Sequence, residues 1–84
     1  MIATQTNGGP NAVDYVLLDG RRMSRVVVAD DDSGKVTVHD VDKHGNLLHE
    51  DGLISEKTLT GKVEIVLMPG WRYDQKHLRF IKLP

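Results

Sequence analysis

The sequence has no cysteine, which removes the disulfide-stapled secreted scaffolds and any thiolate nucleophile. Aromatics are scarce: one Trp, two Tyr and one Phe. Val and Leu must therefore close most of any core. Long apolar runs are missing too. The longest are Val26–Ala29 and Ile65–Pro69, far below the ~18 residues of a membrane-spanning helix. The opening segment, Met1 to Pro10, has neither a basic start nor an apolar stretch, so it does not read as a signal peptide. Nor is one charge sign in excess. The net charge of −1 sets up no global field toward nucleic acid or membrane. The expectation is a soluble, cytoplasmic chain with no membrane partner.

Eighty-four residues make one domain. A chain this short buries roughly 60–65% of its unfolded surface and draws about 3–5 kcal/mol from its core. Small domains offset that deficit with disulfides, metals or self-association. With no cysteine and no metal cage in the sequence, self-association remains. The charge is also unevenly spread. Residues 30–56 hold eight acids and two bases, whereas residues 57–84 hold six bases and two acids. Such halves attract each other within a molecule or between copies.

Residues 1–11 are polar, glycine-bearing and aperiodic, and read as a flexible tail that is ordered only when docked. From Ala12 to Pro84 the signal is β. Val13 to Leu18 leads into Asp19-Gly20, a strong hairpin signal, and the return strand runs from Arg21 to Ala29 through the stiff Val26-Val27-Val28. Asp31 to Gly34 forms a loop, Lys35 to Val41 alternates, and Lys43 to Asn46 turns back into Leu47 to Glu50. Gly52 to Gly61 is less regular, with Ser55 placed to cap one helical turn near residues 55–59. Lys62 to Met68 and His77 to Leu83 complete about six short strands. The fold expected is all-β: a small antiparallel barrel or a two-sheet sandwich.

Two-residue turns at Asp19-Gly20 and His44-Gly45, with a loop at Asp31–Gly34, set a register. They put Asp14, Arg25, Asp40 and His49 in one cross-strand row. They also put Val16, Met23, Val27, Val36 and Val38 on one face, and Tyr15, Leu17, Val26, Val28 and Val41 on the other. Neither face is clearly the wet one. The second face must then meet another sheet or another copy of the chain.

Four segments carry residues capable of chemistry. Asp40 to Asp51 resembles a twelve-residue calcium loop at Asp40, Asp42 and Gly45, but His44 stands where an oxygen ligand belongs and Asp51 replaces the bidentate glutamate. A hairpin turn with solvated acids explains it better. Asp30-Asp31-Asp32 offers adjacent carboxylates that a tight loop does not converge on one ion. His39, Asp40 and His49 bring imidazole near carboxylate, the makings of a general base in an oligomeric enzyme with a site between subunits. The serines sit in no Gly-x-Ser-x-Gly context. The fourth segment, Trp71 to Lys82, interleaves three aromatics with four bases. Trp71, Arg72, Tyr73, Lys76 and Arg79 are the candidate ligand-binding set for single-stranded nucleic acid or another anion. The plainer reading makes Trp71 and Phe80 core plugs and lets the bases complement the acidic stretch.

The sequence thus supports a non-enzymatic binding module, a homodimer or higher homo-oligomer joined through an apolar sheet face. It names no catalytic residue, metal ligand or cofactor, and nucleic-acid binding ranks second.

Overall fold

Alternating and β-branched stretches, separated by turns bearing Gly and Asp, form extended chain almost everywhere. A computed structural model describes residues 1–84. It comprises β1 (Ile2–Ala3), a helical turn α1 (Gly9–Ala12), β2 (Val13–Leu18), β3 (Arg21–Arg22), β4 (Val26–Asp30), β5 (Lys35–His39), β6 (His49–Glu50), β7 (Leu53–Ile54), β8 (Glu56–Thr60), β9 (Val63–Leu67), β10 (Trp71–Asp74) and β11 (Arg79–Lys82). The chain is all-β. Its pairings are antiparallel and form separate sheets, with no closed barrel. The four-stranded sheet runs β1-β4-β5-β8 and the three-stranded sheet β3-β2-β9, while β10–β11 and β6–β7 are two-stranded hairpins. No helix is long and apolar enough to cross a membrane.

Asp19 and Gly20 adopt φ of 51° and 82°, as a type I′ turn requires. They set Leu18 opposite Arg21 and Leu17 opposite Arg22, the register expected from sequence. The ladder ends soon after. The chain bends at Ser24-Arg25, where Arg25 has φ 58°, and β4 leaves for the other sheet. The expected row of Asp14, Arg25, Asp40 and His49 therefore does not form. A bulge between Val26 and Val28 shifts the β4–β5 register by one, so the His39 amide bonds the Arg25 carbonyl in place of a pairing with Asp40. The next turn spans three residues, Lys43 to Gly45, and sets Asp40 against Leu48, leaving His49 to pair with Ile54.

A helical turn at residues 55–59 is not present. Glu56–Thr60 is instead strand β8, paired along its whole length with β5, with the Thr37 and Thr58 hydroxyls 2.9 Å apart. A five-residue ladder and β-branched threonines outweigh one potential Ser55 cap. The helical turn lies at Gly9–Ala12, opened by Pro10, whose missing amide costs nothing there. Residues 1–11 lie docked on the chain itself. Ile2 and Ala3 pair with Asp30 and Ala29, the Asn7 side chain bonds the Ile2 and Leu78 carbonyls, and Ala3 and Gly9 are buried.

The two larger sheets share one core: Ala3, Ala29, Val36 and Val38 from one, Val16, Leu18 and Val63 from the other, with Ala12 and Phe80 closing the side. Val36 is the one large side chain that is fully buried. On the four-stranded sheet the outer face is wet, carrying Val28, Thr37, Thr58 and Lys35. On this sheet the alternation that looked ambiguous in sequence thus resolves into a dry and a wet side. At one end a backbone junction ties the sheets: the Gly61 amide bonds the Gly34 carbonyl at 2.9 Å, and the Lys62 amide bonds Asp19 Oδ1 at 2.8 Å.

Candidate functional site

Cross-strand partners share a face, and neighbours along a strand do not. In the β10–β11 hairpin, Trp71 faces Lys82 and Tyr73 faces Phe80, so these four share one side. Arg72, Ile81, Asp74 and Arg79 take the other. Phe80 is buried, and Trp71 and Tyr73 are half-buried against the core. The Tyr73 and Phe80 rings meet edge to face at 5.0 Å, and the buried Tyr73 hydroxyl has no hydrogen-bond partner. Of the five residues singled out from sequence, Trp71 and Tyr73 thus turn toward the core, Arg72 and Arg79 turn away from it, and Lys76 sits in the connecting turn. That turn is organised by Asp74, which accepts the Lys76 amide at 3.1 Å and contacts His77 Nδ1 at 2.7 Å. The bonded His77 ring holds the Asp74 carboxyl below the usual carboxylate range.

The acidic candidates are spent on turns. Asp42 Oδ1 accepts the His44 and Asn46 amides, and these bonds, Asn46 first, lower its pKa. Asp40 lies 3.5 Å from Lys57 and accepts the Val41 amide. Residues 40–51 therefore contain one turn and the start of a second, with their carboxylates divided between them. Asp30, Asp31 and Asp32 do gather within 4.8 Å, but the Met1 ammonium lies 2.8 Å from Asp31 and 2.9 Å from Asp32. Those bonds raise the ammonium pKa. Burial pushes Asp30 up, but bonds from Ser33 and the Asp32 amide outweigh it and leave Asp30 low. The histidines are not assembled with one another: His39 pairs with Glu56 across β5–β8, and His49 with Ile54 on a separate hairpin.

Two features escape the sequence reading. One is an arm: β6 and β7 join through Asp51-Gly52, with φ of 51° and 80°, the same geometry as Asp19-Gly20. It exposes Leu47, Leu48, Leu53 and Ile54, with Leu53 74% exposed. Alternation puts Leu48 and Leu53 on one face and Leu47 and Ile54 on the other. The available signal was Asp-Gly between two short apolar pairs. The other is a cleft of about 240 Å³ where the N-terminal segment meets β2 and β4, lined by Ala3, Val13, Tyr15, Met23, Val26 and Val27 among others. The Arg22 guanidinium stands over the ring of Tyr15, one of the lining residues, 4.6 Å from its centroid. No protein-family model, curated protein or solved structure matches the chain.

Proposed function

We propose that the chain is a non-enzymatic interaction module that self-associates, as a homodimer or higher homo-oligomer, through an apolar sheet face. The observation that carries this is the β6–β7 arm, where Leu53 is largely uncovered and Leu47, Leu48 and Ile54 are partly exposed on its two faces. Exposed aliphatic side chains gathered on one hairpin mark a place where another molecule docks. Size supports the reading. The exposed surface is 5759 Å², whereas a compact monomer of this mass exposes about 5000 Å². The excess comes from an elongated, open shape that leaves surface available to a partner. Light scattering coupled to size exclusion tests it: more than one copy per particle is expected, and a single copy at every concentration overturns it.

Nucleic-acid binding through Trp71, Arg72, Tyr73, Lys76 and Arg79 is the weaker reading. Base stacking needs open aromatic faces, and Trp71 and Tyr73 spend theirs partly on the core. Catalysis between subunits at His39, Asp40 and His49 is weaker still, because those side chains belong to separate ladders.

A further inference from the structure

We infer that the β6–β7 arm of one copy docks into the apolar cleft of a second copy, with Leu53 as the anchor and Glu50 and Asp51 meeting Arg22 and Arg25. This rests on the self-association proposed above and names its two surfaces. Three observations lead there. The first is chemistry: the cleft is apolar over most of its lining and holds about 240 Å³. A cavity of about 150 Å³ holds a benzene ring, so Leu53 fits. Leu53 also has the greatest exposure of the large hydrophobic residues.

The second is charge. The stretch from Asp40 to Glu56 carries five acids and one base, and Arg21, Arg22 and Arg25 carry three bases with no acid between them. Glu50 faces Leu53 directly across the arm, so the anchor travels with a carboxylate beside it. Arg22 lies over Tyr15, a cleft residue, and Arg25 precedes Val26, another. Asp14 also lines the cleft, as its one acid. A buried aliphatic anchor ringed by opposite charges is the usual anatomy of a specific interface.

The third is placement. Val26 pairs with Val38, and His39 with Glu56, so β4 begins where β5 ends and β8 starts. The Arg25 guanidinium donates to the Gly45 carbonyl at 3.4 Å in the neighbouring turn. Asp40, bonded to Leu48 and Ser55 at the base of the arm, follows His39, whose amide bonds the Arg25 carbonyl; the base of the arm thus lies beside the start of β4. With arm and cleft at one end, two copies related by a two-fold axis exchange arms reciprocally. The contact closes on itself and leaves no free end to propagate.

The test is a dissociation constant from sedimentation for the full chain and four variants, each checked by circular dichroism for an unchanged fold. Leu53→Asp is expected to raise the dimer Kd by at least about 30-fold. Reversing Glu50 and Asp51 to Arg, or Arg22 and Arg25 to Glu, is expected to weaken it about 3- to 10-fold, and combining both reversals restores it. A wild-type chain that stays monomeric overturns self-association itself. A dimer that survives Leu53→Asp and ignores the charge reversals leaves self-association standing and overturns the arm-in-cleft contact. Polymers that lengthen with concentration overturn the closed pair.

Discussion

Gly34 and Gly20 both hold positive φ, 72° and 82°, but only one is hemmed in. A Cβ on Gly34 would sit 2.6 Å from the Gly61 carbonyl oxygen, a backbone atom that cannot rotate away, whereas one on Gly20 meets nothing within 4 Å. Gly20→Ala then costs only the left-handed penalty, about 1 kcal/mol, and Gly34→Ala about 2 kcal/mol or more. Thermal melting of the pair is expected to show the larger drop for Gly34→Ala. Equal drops would mean the junction is not tight. Val36→Ala removes two buried methyl groups at about 0.8 kcal/mol each plus a cavity term. The expected loss of about 2 kcal/mol is large against a marginal total of about 5 kcal/mol. Titration is local as well. Asp42 and Asp74 have folded pKa values lowered from 3.8. The unfolded chain therefore takes up their protons first, and their stabilising effect, full above the ordinary value, is lost as pH falls through the lowered ones. Carboxyl-carbon NMR should give midpoints below 3.8 at both positions. A midpoint at or above that value would show that the turn bonds are not made in solution.

At the scale of elements, the sequence is legible where the signal is local. Asp19-Gly20 and the Asp31–Gly34 loop sit where their own residues demand, and the strands at β2, β4, β5 and β9 follow from β-branched or alternating runs. Three features were not legible. The bulge at Val26–Val28 shifts a register without leaving a mark in a run of identical valines. Strand β8, Glu-Lys-Thr-Leu-Thr, follows a potential helix cap at Ser55 and reads as a single helical turn until β5 supplies its ladder, and that pairing bridges residues far apart in the chain. The arm was hidden because Asp51-Gly52 follows His49-Glu50, a polar pair that reads as the end of a strand. Of the candidate site, the composition of the β10–β11 hairpin was plain, but its facing was set by Phe80 entering the core. One prediction belongs to this hairpin. Titrating single-stranded oligonucleotide at low salt should leave Trp71 emission unchanged, because its ring rests on the core. Saturable quenching would restore the stacking reading.

The whole molecule is longer and looser than a closed globule. Its radius of gyration is 13.5 Å and its extents are 41 × 27 × 20 Å, where a compact chain of this length has a radius of about 12 Å. It makes 42 backbone hydrogen bonds, against roughly 55–60 for a typical domain of this size. Open strand edges account for the shortfall, with β8 and β9 each ending a sheet. Only 10 of 84 residues are buried, so one copy alone has little core with which to offset chain entropy. In the proposed homo-oligomer a second copy supplies the missing burial, and stability should then rise with protein concentration. Sedimentation equilibrium of the unmodified chain across the micromolar range measures this most directly. The expected weight-average mass climbs from 9.4 kDa toward twice that value, whereas a mass fixed at that of one chain, with a melting temperature independent of concentration, would contradict the account.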